Sequence, residues 1–291
     1  MHIELTIMPR SKLRAPTGAL YSALQGGSSG PRAVLRWLYL PYVGAIYVPF
    51  LLVSTLSLGI IAVFIALVSP RAAFHCGTLW AWLLCRLNFT RVVVEGRASC
   101  PPGSYVIMSN HQSQFDVLAF YGHWRRQFRW VMKRELRKIP GLGWYCAAGG
   151  HIFIDRSSRE AAIRSLQQAR PLLDGGISVM IFPEGTRSRD GRLQPFKKGG
   201  FMMALDLGLP ILPVSISGSR HVLPARDVRP LPGSIHIRIH PPVDASSYGI
   251  ERRDELVQTV RETIRGGLSE WERGGEEGEC DGEGEGGARK P

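Results

Sequence analysis

Cysteine is scarce in this sequence and follows no recognisable pattern. The five cysteines form neither a Cys-x-x-Cys pair nor a Cys/His cluster with the spacing of a zinc site. Their odd number and irregular spacing indicate reduced thiols in a protein that faces the cytosol. The sequence therefore predicts no metal site and assigns the cysteines no function.

No recognised nucleic-acid-binding motif accompanies the basic composition, although the net charge is +12 and the sequence pI is about 9.9. The basic residues are scattered, and the last 18 residues carry six acids and two bases, so the rest of the chain is more basic still. Such a chain attracts anions such as phosphorylated metabolites, acidic proteins or anionic lipids. We therefore expect no nucleic-acid partner.

Charged residues are absent from a run of 34 residues, 37–70. A straight helix of this length would measure about 51 Å, which exceeds the ~30 Å hydrocarbon core but is too short for two complete spans. Pro41, Gly44 and Pro49 interrupt its first half, and basic residues flank it on both sides. Because both flanks then favour the cytoplasmic side, we expect residues 31–70 to form a membrane-embedded re-entrant helical hairpin. A single span and a buried soluble helix are the alternatives.

We also expect no signal peptide, because the apolar run begins too late and no small-residue cleavage site promptly follows it. Residues 1–30 lack a sustained hydrophobic period and are predicted to form a mobile arm. Residues 272–291 are glycine-rich and acidic, and we expect them to be disordered. The remaining residues, 71–271, are predicted to form one folded domain.

Short apolar segments alternate with helical patterns from residue 91 onward. The helical stretches cover residues 115–124, 158–173, 198–208 and 251–271. This alternation predicts a single α/β domain with a largely parallel sheet, preceded by the N-terminal membrane helical hairpin. The seven predicted strands are 91–96, 105–109, 128–132, 151–154, 177–182, 211–217 and 235–240.

The segment SNHQSQFD, residues 109–116, places a histidine and an aspartate around the predicted start of a helix. Ser113 and Asp116 have the spacing of a capping box. His111 precedes the cap, so the chain can fold its imidazole back against the Asp116 carboxylate. A carboxylate on one ring nitrogen fixes the tautomer and leaves the other nitrogen as a base. A loop histidine beside a capping acid is the structural alternative.

A glycine-rich basic loop, PEGTRSRDGRLQPFKKGG, follows the predicted strand at 177–182. Ligand sites of α/β proteins gather at the carboxyl ends of strands, where this loop would lie. Its glycines let backbone N–H groups approach an anion, and Lys198–Gly200 open a helix whose positive end suits phosphate. The loop therefore predicts an anion site, with a solvated basic loop as the alternative. Among its basic side chains are Arg187, Arg189, Lys197 and Lys198.

These segments, in this order, resemble the sequence blocks of the lysophospholipid acyltransferase family, the 1-acylglycerol-3-phosphate acyltransferases. The first block, Asn-His-x4-Asp, is matched at Asn110, His111 and Asp116. The resemblance covers about residues 70–245. The other matches are FIDR at 153–156, FPEGTRS at 182–188, PFKKG at 195–199, PILPVSI at 210–216 and the lysine of KREL, Lys133.

The resemblance implies roles for the site residues. His111 would act as the general base, Asp116 would orient it, and Arg187 would clamp the phosphate of the acceptor. The oxyanion donor is not identified by the sequence. The further residues implied to bind substrate are Glu184, Gly185, Thr186, Lys133 and Arg156.

Acyl transfer from a thioester requires few catalytic groups. The acceptor alcohol must lose its proton, whereas the thiolate leaving group, with a pKa of about 8.5, departs without much acid assistance. The sequence has no Gly-x-Ser-x-Gly motif that would supply a nucleophile. We therefore expect direct transfer, with no covalent enzyme intermediate and no cofactor.

The motifs and the resemblance together predict an enzyme of phospholipid biosynthesis at the cytoplasmic face of a membrane. It would transfer a fatty acyl group from acyl-CoA or acyl-carrier protein to lysophosphatidate, forming phosphatidate. The expected partners are the lysophospholipid acceptor, the acyl donor and membrane lipid, while the oligomeric state stays open. Two alternatives remain, an acyltransferase for another lysolipid such as lyso-ornithine lipid and an inactive membrane scaffold.

Overall fold

The computed structural model describes residues 31–154 and 176–274. The predicted arm at 1–30, the predicted helix at 158–173, Arg156 and most of the predicted acidic tail lie outside these residues. The elements are α1 (Pro31–Tyr42), a π-helical turn (Val43–Tyr47), α2 (Val48–Val68), α3 (Pro70–Leu87), β1 (Thr90–Glu95), a 3-10 turn (Arg97–Ser99), β2 (Val106–Ser109), α4 (Gln114–His123), β3 (Phe128–Lys133), a second 3-10 turn (Arg134–Lys138), α5 (Leu142–Ala148), β4 (Ile152–Ile154), β5 (Ser178–Ile181), α6 (Gly199–Leu207), β6 (Ile211–Ser217), α7 (Ser219–Val222), β7 (Gly233–Ile239) and α8 (Arg253–Gly266).

The seven predicted strands all form, and they build one sheet in the order β1-β7-β6-β2-β5-β3-β4. Neighbouring strands are parallel except β6 and β7, which are antiparallel. The predicted α/β fold with a largely parallel sheet is therefore confirmed. Because β2, β3, β5 and β6 run in the same direction, the turns that follow them meet at one edge of the sheet.

Successive side chains of the strands enter apolar layers on opposite faces of the sheet. Ile107 of β2 belongs to the cluster that contains Phe120 of α4. Its neighbours Val106 and Met108 belong to a second cluster, which contains Phe201 of α6. This alternation follows from the two-residue period of a strand. Both faces are therefore covered, and the ends of the strands are held in a fixed arrangement.

The prediction that residues 31–70 contain a hairpin is wrong, because α1, the π-helical turn and α2 follow one another without a break. Pro49 lies in the first turn of α2, directly after the π-helical turn, and the helix continues through it. The chain reverses at Ser69, whose backbone is extended and whose Oγ accepts a 3.3 Å hydrogen bond from the N–H of Ala72. The hairpin therefore forms between α2 and α3.

The helix Trp37–Val68 is long and apolar enough to cross a membrane, with a mean hydropathy of 2.7, and only 11% of its most apolar window is buried. Its attachment to the domain includes a close backbone approach. A Cβ on Gly59 would lie 2.3 Å from the carbonyl oxygen of Gly141. Trp80 of α3 also donates a 3.0 Å hydrogen bond to Ser54 of α2. The helix is thus fixed to the domain on one side, and it exposes apolar surface typical of membrane association.

The folded domain extends beyond the predicted boundary at residue 271. The last helix, predicted over 251–271, ends at Gly266, and turns follow it to residue 274. Glu272, which the prediction placed in the disordered tail, is 3% exposed and hydrogen-bonded inside the domain. The predicted boundary between the domain and the tail is therefore too early by at least three residues.

Candidate active site

The site begins where β2 ends, and Asn110 joins that end to β6. The Asn110 side chain donates to the carbonyl oxygen of Ile216 at 2.7 Å and accepts from the Ile216 N–H at 2.8 Å. Asn110 is buried, so these hydrogen bonds replace those that water would otherwise make. They hold the turn between β2 and α4 against the neighbouring strand.

His111 and Asp116 form the pair that their spacing predicts. Nδ1 of His111 lies 2.8 Å from Oδ2 of Asp116. The same oxygen accepts hydrogen bonds from the backbone N–H groups of Gln112 at 2.7 Å and Ser113 at 2.8 Å. Asp116 is fully buried, and Ser113 caps α4, so the pair is built around a helix start. A carboxylate held in this way fixes the proton of the imidazole on Nδ1 and leaves Nε2 as a base.

The orientation of the His111 ring is set by stacking. Its centroid lies 3.9 Å from that of Phe182, with 9° between the planes, and Phe182 in turn stacks on Trp130 at 5.6 Å. The His111 side chain is 14% exposed. Within the described ranges its Nε2 makes no hydrogen bond. The ring is therefore fixed in position with Nε2 available to a ligand.

Glu184, from the loop after β5, holds the backbone of His111. Its Oε1 accepts a 2.7 Å hydrogen bond from the His111 N–H, and its Oε2 accepts one from the Gln194 N–H at 3.3 Å. The His111 carbonyl oxygen accepts from the Ser188 N–H at 2.8 Å. Burial raises the pKa of the Glu184 carboxyl from 4.5 to about 8; the charge of Asp116 also raises it, whereas the two backbone hydrogen bonds lower it. The resemblance implied that Glu184 binds substrate, but the structure places its buried carboxyl group against the backbone of His111.

The basic loop surrounds a cavity of about 580 Å³. Arg187 is exposed and lines it, together with two further arginines. Asp190, the one acid in the lining, accepts hydrogen bonds from Ser188 Oγ at 2.9 Å and the Arg192 N–H at 3.0 Å. The remaining positive charge suits an anion such as a phosphate. The cavity is lined by Thr186, Arg187, Arg189, Asp190, Arg192, Leu193, Gln194 and Pro195.

Gly185 allows the loop to turn beside a lysine. Its φ is +78°, and a Cβ at this position would lie 2.9 Å from the Lys197 amine. The positive φ favours glycine, whereas the Lys197 amine, at the end of a flexible side chain, could move aside. The predicted residues Gly185, Thr186 and Arg187 thus lie in one short turn directly after Glu184.

Lys133 and Lys198 are not brought into contact with His111. Lys133 ends β3 at the same edge of the sheet but is 61% exposed, with Glu135 Oε1 3.8 Å from its amine. Lys198, expected to contribute to the anion site, instead pairs with Asp254 of α8 at 2.9 Å. Arg156 lies outside the described residues, so its predicted role stays a prediction.

Three residues that contact the site were not singled out from the sequence. Phe182 stacks on His111, and Gln112 lies beside it in the turn. Glu272 accepts a hydrogen bond from Gln112 across a separation of 160 residues. Phe182 is the first residue of the FPEGTRS block and Gln112 lies inside the Asn-His-x4-Asp block, so their positions gave a signal. Glu272 had none, because its contacts depend on the fold.

Comparison with known proteins places these residues in a recognised sequence family. The model of the family described as Acyltransferase matches residues 91–217, which include His111, Asp116 and the basic loop up to its helix. The chain is 32% identical over 219 residues to a 1-acyl-sn-glycerol-3-phosphate acyltransferase of Pseudomonas aeruginosa, a match that covers 73% of this chain and 84% of that protein.

An algal protein and a solved structure are also similar. The chain is 32% identical over 202 residues to a 1-acyl-sn-glycerol-3-phosphate acyltransferase of Chlamydomonas reinhardtii, covering 68% of this chain but only 59% of that longer relative. The crystal structure of the 1-acyl-sn-glycerophosphate acyltransferase PlsC from Thermotoga maritima matches with a TM-score of 0.69 and 30% identity, over 80% of this chain and 95% of that one. The chain therefore belongs to the PlsC-like family of 1-acyl-sn-glycerol-3-phosphate acyltransferases.

Proposed function

We propose that the protein transfers a fatty acyl group from a thioester donor, acyl-CoA or acyl-carrier protein, to the free hydroxyl of 1-acyl-sn-glycerol-3-phosphate, forming phosphatidate. One observation carries the proposal: the Nδ1 of His111 lies 2.8 Å from the buried Asp116, and the loop whose Ser188 N–H donates to the His111 carbonyl oxygen lines an arginine-rich cavity. A base beside an anion site suits an acceptor that carries both a hydroxyl and a phosphate.

In the proposed reaction Nε2 of His111 removes the proton of the acceptor hydroxyl. The oxygen attacks the carbonyl carbon of the thioester, the carbon–sulfur bond breaks, and the proton leaves with the thiol. The Asp116 carboxylate stabilises the imidazolium that forms in between. The absence of a Gly-x-Ser-x-Gly motif from the sequence favours this direct transfer over a covalent acyl-enzyme.

Arg187 is proposed to bind the phosphate of the acceptor. A guanidinium offers two parallel N–H groups that match two phosphate oxygens, and Arg187 lines the cavity with its side chain exposed. The turn between β2 and α4, residues 110–113, is here called the catalytic turn. The backbone of the same loop contacts it, because the Ser188 N–H donates to the His111 carbonyl oxygen at 2.8 Å. Phosphate bound at Arg187 would therefore lie close to the base.

The α2–α3 hairpin is proposed to insert into the cytoplasmic leaflet of a membrane. Leu67 and Val68, at its tip, are 80% and 90% exposed. Exposed apolar side chains of this size are unfavourable in water, at about 25 cal/mol for each Å². The basic character of the chain adds attraction to anionic lipids. Insertion would also bring the site to substrates whose acyl chains reside in the bilayer.

The function is tested by incubating the purified protein with a labelled acyl donor, either acyl-CoA or acyl-carrier protein, and a panel of lysolipids, and by identifying the products. We expect labelled phosphatidate from lysophosphatidate, and much less product from lysolipids that lack a phosphate monoester. A preference for lyso-ornithine lipid would move the activity to that acceptor. No product with any pair, from protein that melts cooperatively, would favour the inactive scaffold.

A further inference from the structure

The segment Leu268–Gly274, here called the C-terminal segment, lies against the catalytic turn. It follows α8 and stands outside the family match at 91–217. Its residue Glu272 is 3% exposed, although a carboxylate is among the side chains least often buried. Burying a charged group is unfavourable unless hydrogen bonds compensate it. The position of Glu272 therefore needs a physical explanation.

Five hydrogen bonds satisfy the Glu272 carboxylate. Its Oε1 accepts from Gln112 Nε2 at 2.8 Å and from the Gly218 N–H at 3.0 Å. Its Oε2 accepts from Ser217 Oγ at 2.5 Å and from the N–H and Oγ of Ser269 at 2.9 and 2.8 Å. Burial alone would raise the pKa of Glu272, but these hydrogen bonds outweigh it and lower the pKa below its ordinary value.

The partners of Glu272 lie on both sides of the catalytic turn. The backbone N–H of Gln112 donates to Asp116 Oδ2 at 2.7 Å, the same oxygen that lies 2.8 Å from His111 Nδ1. On the other side, Ser217 directly follows Ile216, which is hydrogen-bonded to the residue before His111. The carboxylate thus joins the end of β6 to the residue between the base and its orienting acid.

Independent contacts fix the C-terminal segment in this position. Trp271 Nε1 donates to the carbonyl oxygen of Asp190 at 3.2 Å, and the guanidinium of Arg192 lies 4.4 Å from the Trp271 ring centroid. The backbone carbonyl of Glu272 accepts from the Leu193 N–H at 2.9 Å. The segment is therefore attached to the loop that lines the arginine-rich cavity as well as to the catalytic turn.

We propose that Glu272 is a positioning residue for the proposed acyl transfer: by holding the Gln112 side chain and the end of β6, it keeps the turn in which Asp116 orients His111. The inference rests on the proposed function for its kinetic consequence. It rests on the hydrogen-bond geometry alone for its effect on the His111 imidazole.

The test replaces Glu272 by glutamine. Glu272→Gln keeps the shape of the side chain, but its amide nitrogen must face N–H donors that now lack an acceptor. We expect kcat on lysophosphatidate to fall roughly tenfold to a hundredfold, with a smaller change in KM, because misplacement of the base affects the reacting geometry more than substrate binding. Glu270→Gln is the matched control, since Glu270 is exposed in the same segment, and it should match the wild type.

A spectroscopic signal of His111 gives a second readout that does not depend on activity. In full-length protein labelled with ¹⁵N-histidine, the hydrogen-bonded Nδ1 proton, assigned by its loss in His111→Ala, should shift or broaden in Glu272→Gln and stay unchanged in Glu270→Gln. If Glu272→Gln fails to fold, Gln112→Ala removes the same contact from the other side and should reproduce the shift and the loss of kcat.

The outcomes separate this inference from the proposed function. An unchanged His111 signal in the folded variant overturns the inference, and so does an unchanged kcat in an active enzyme. A wild-type protein that acylates no lysolipid overturns the proposed function, and the His111 signal then decides the role of Glu272 alone. A lower melting temperature with both readouts unchanged would overturn the inference, because Glu272 would then only stabilise the C-terminal segment.

Discussion

The side-chain carboxyl group of Glu184 accepts a 2.7 Å hydrogen bond from the backbone N–H of His111. The two residues lie in different motifs, on the turns that follow β5 and β2, and these strands are neighbours in the sheet. One motif therefore supports the other, and the loop that lines the arginine-rich cavity is held to the proposed base. This arrangement explains how short segments far apart in the sequence can form one site.

The Glu184 contact predicts how stability depends on pH. Because the folded-state pKa is raised from 4.5 to about 8, the protonated carboxyl stabilises the fold fully below about pH 4.5, and this contribution is lost as the pH rises through about 8. Glu184→Gln cannot ionise. We therefore expect the melting temperature of Glu184→Gln, measured by circular dichroism, to fall less than that of the wild type as the pH rises from about 4.5 to about 8.

The matched control for this measurement is Glu135→Gln, because the Glu135 side chain is 69% exposed. Its melting temperature should follow the wild-type pH dependence. Identical pH profiles for Glu184→Gln and the wild type would mean that the Glu184 carboxyl is already ionised in the folded protein at neutral pH.

Asp116→Asn should reduce turnover severely without unfolding the domain. An amide can place its N–H toward Nδ1 of His111 and favour the wrong imidazole tautomer, so we expect kcat to fall by roughly 10²–10⁴-fold. Steady-state kinetics on lysophosphatidate measure the loss, and Asp244→Asn, which alters an exposed aspartate, serves as the control. Near-normal turnover would show that Asp116 acts in the structure and not in the reaction.

Arg187 should determine the affinity for the acceptor phosphate. Charge-assisted hydrogen bonds contribute about 1.5–3 kcal/mol each, so Arg187→Ala should raise KM for lysophosphatidate by roughly tenfold to a hundredfold or more. Arg187→Lys should recover part of the loss, because lysine restores the charge without the planar fork. Initial-rate measurements over a range of acceptor concentrations give both constants.

Two controls sharpen the Arg187 prediction. A lysolipid without a phosphate monoester should be turned over poorly and should barely respond to Arg187→Ala. Arg238 is an exposed arginine that pairs with Glu95 at 3.2 Å, on a strand separated from β5 by β6 and β2. Arg238→Ala should therefore leave KM unchanged. If Arg187→Ala weakened the reaction equally with both acceptors, Arg187 would stabilise the loop and would not bind the phosphate.

The proposed insertion of the hairpin predicts how its tip reacts with an impermeant thiol reagent. Val68→Cys places a thiol at a position that is 90% exposed on the protein, yet we expect no labelling before or after permeabilisation, because the proposed insertion would place the tip in the hydrocarbon of one leaflet. Ser246→Cys, on the exposed surface of the domain, should be labelled only after permeabilisation. Labelling of Val68→Cys from outside the cell would favour a helix that spans the membrane.

Much of the fold could be predicted because the sheet has a strong local signature. All seven strands formed close to their expected bounds, since each is a short apolar run between turns. The hairpin could not be located in the same way. Pro41 and Pro49 suggested breaks, but Pro41 lies within α1 just before a π-helical turn, and Pro49 occupies the first turn of α2, so the helix continues through both.

The site was predictable where its geometry is local. The His111–Asp116 pair spans only five residues of chain around a helix cap, a spacing that made the contact feasible, and the structure gives it a distance of 2.8 Å. The role of Glu184 behind His111 depends instead on the pairing of β2 with β5. The contact of Glu272 with Gln112 depends on the path of the last helix, and its acidic surroundings in the sequence suggested disorder.

The most direct test of the account compares wild-type protein with His111→Ala, both purified in detergent, in the formation of labelled phosphatidate from lysophosphatidate and an acyl donor. The loss of a general base should lower kcat by at least about 10²–10⁴-fold, while the melting temperature shows that the variant is folded. Phosphatidate formed by the wild type and nearly abolished in folded His111→Ala is the predicted result. Near-normal phosphatidate formation by His111→Ala would contradict the proposal that Nε2 of this histidine activates the acceptor hydroxyl.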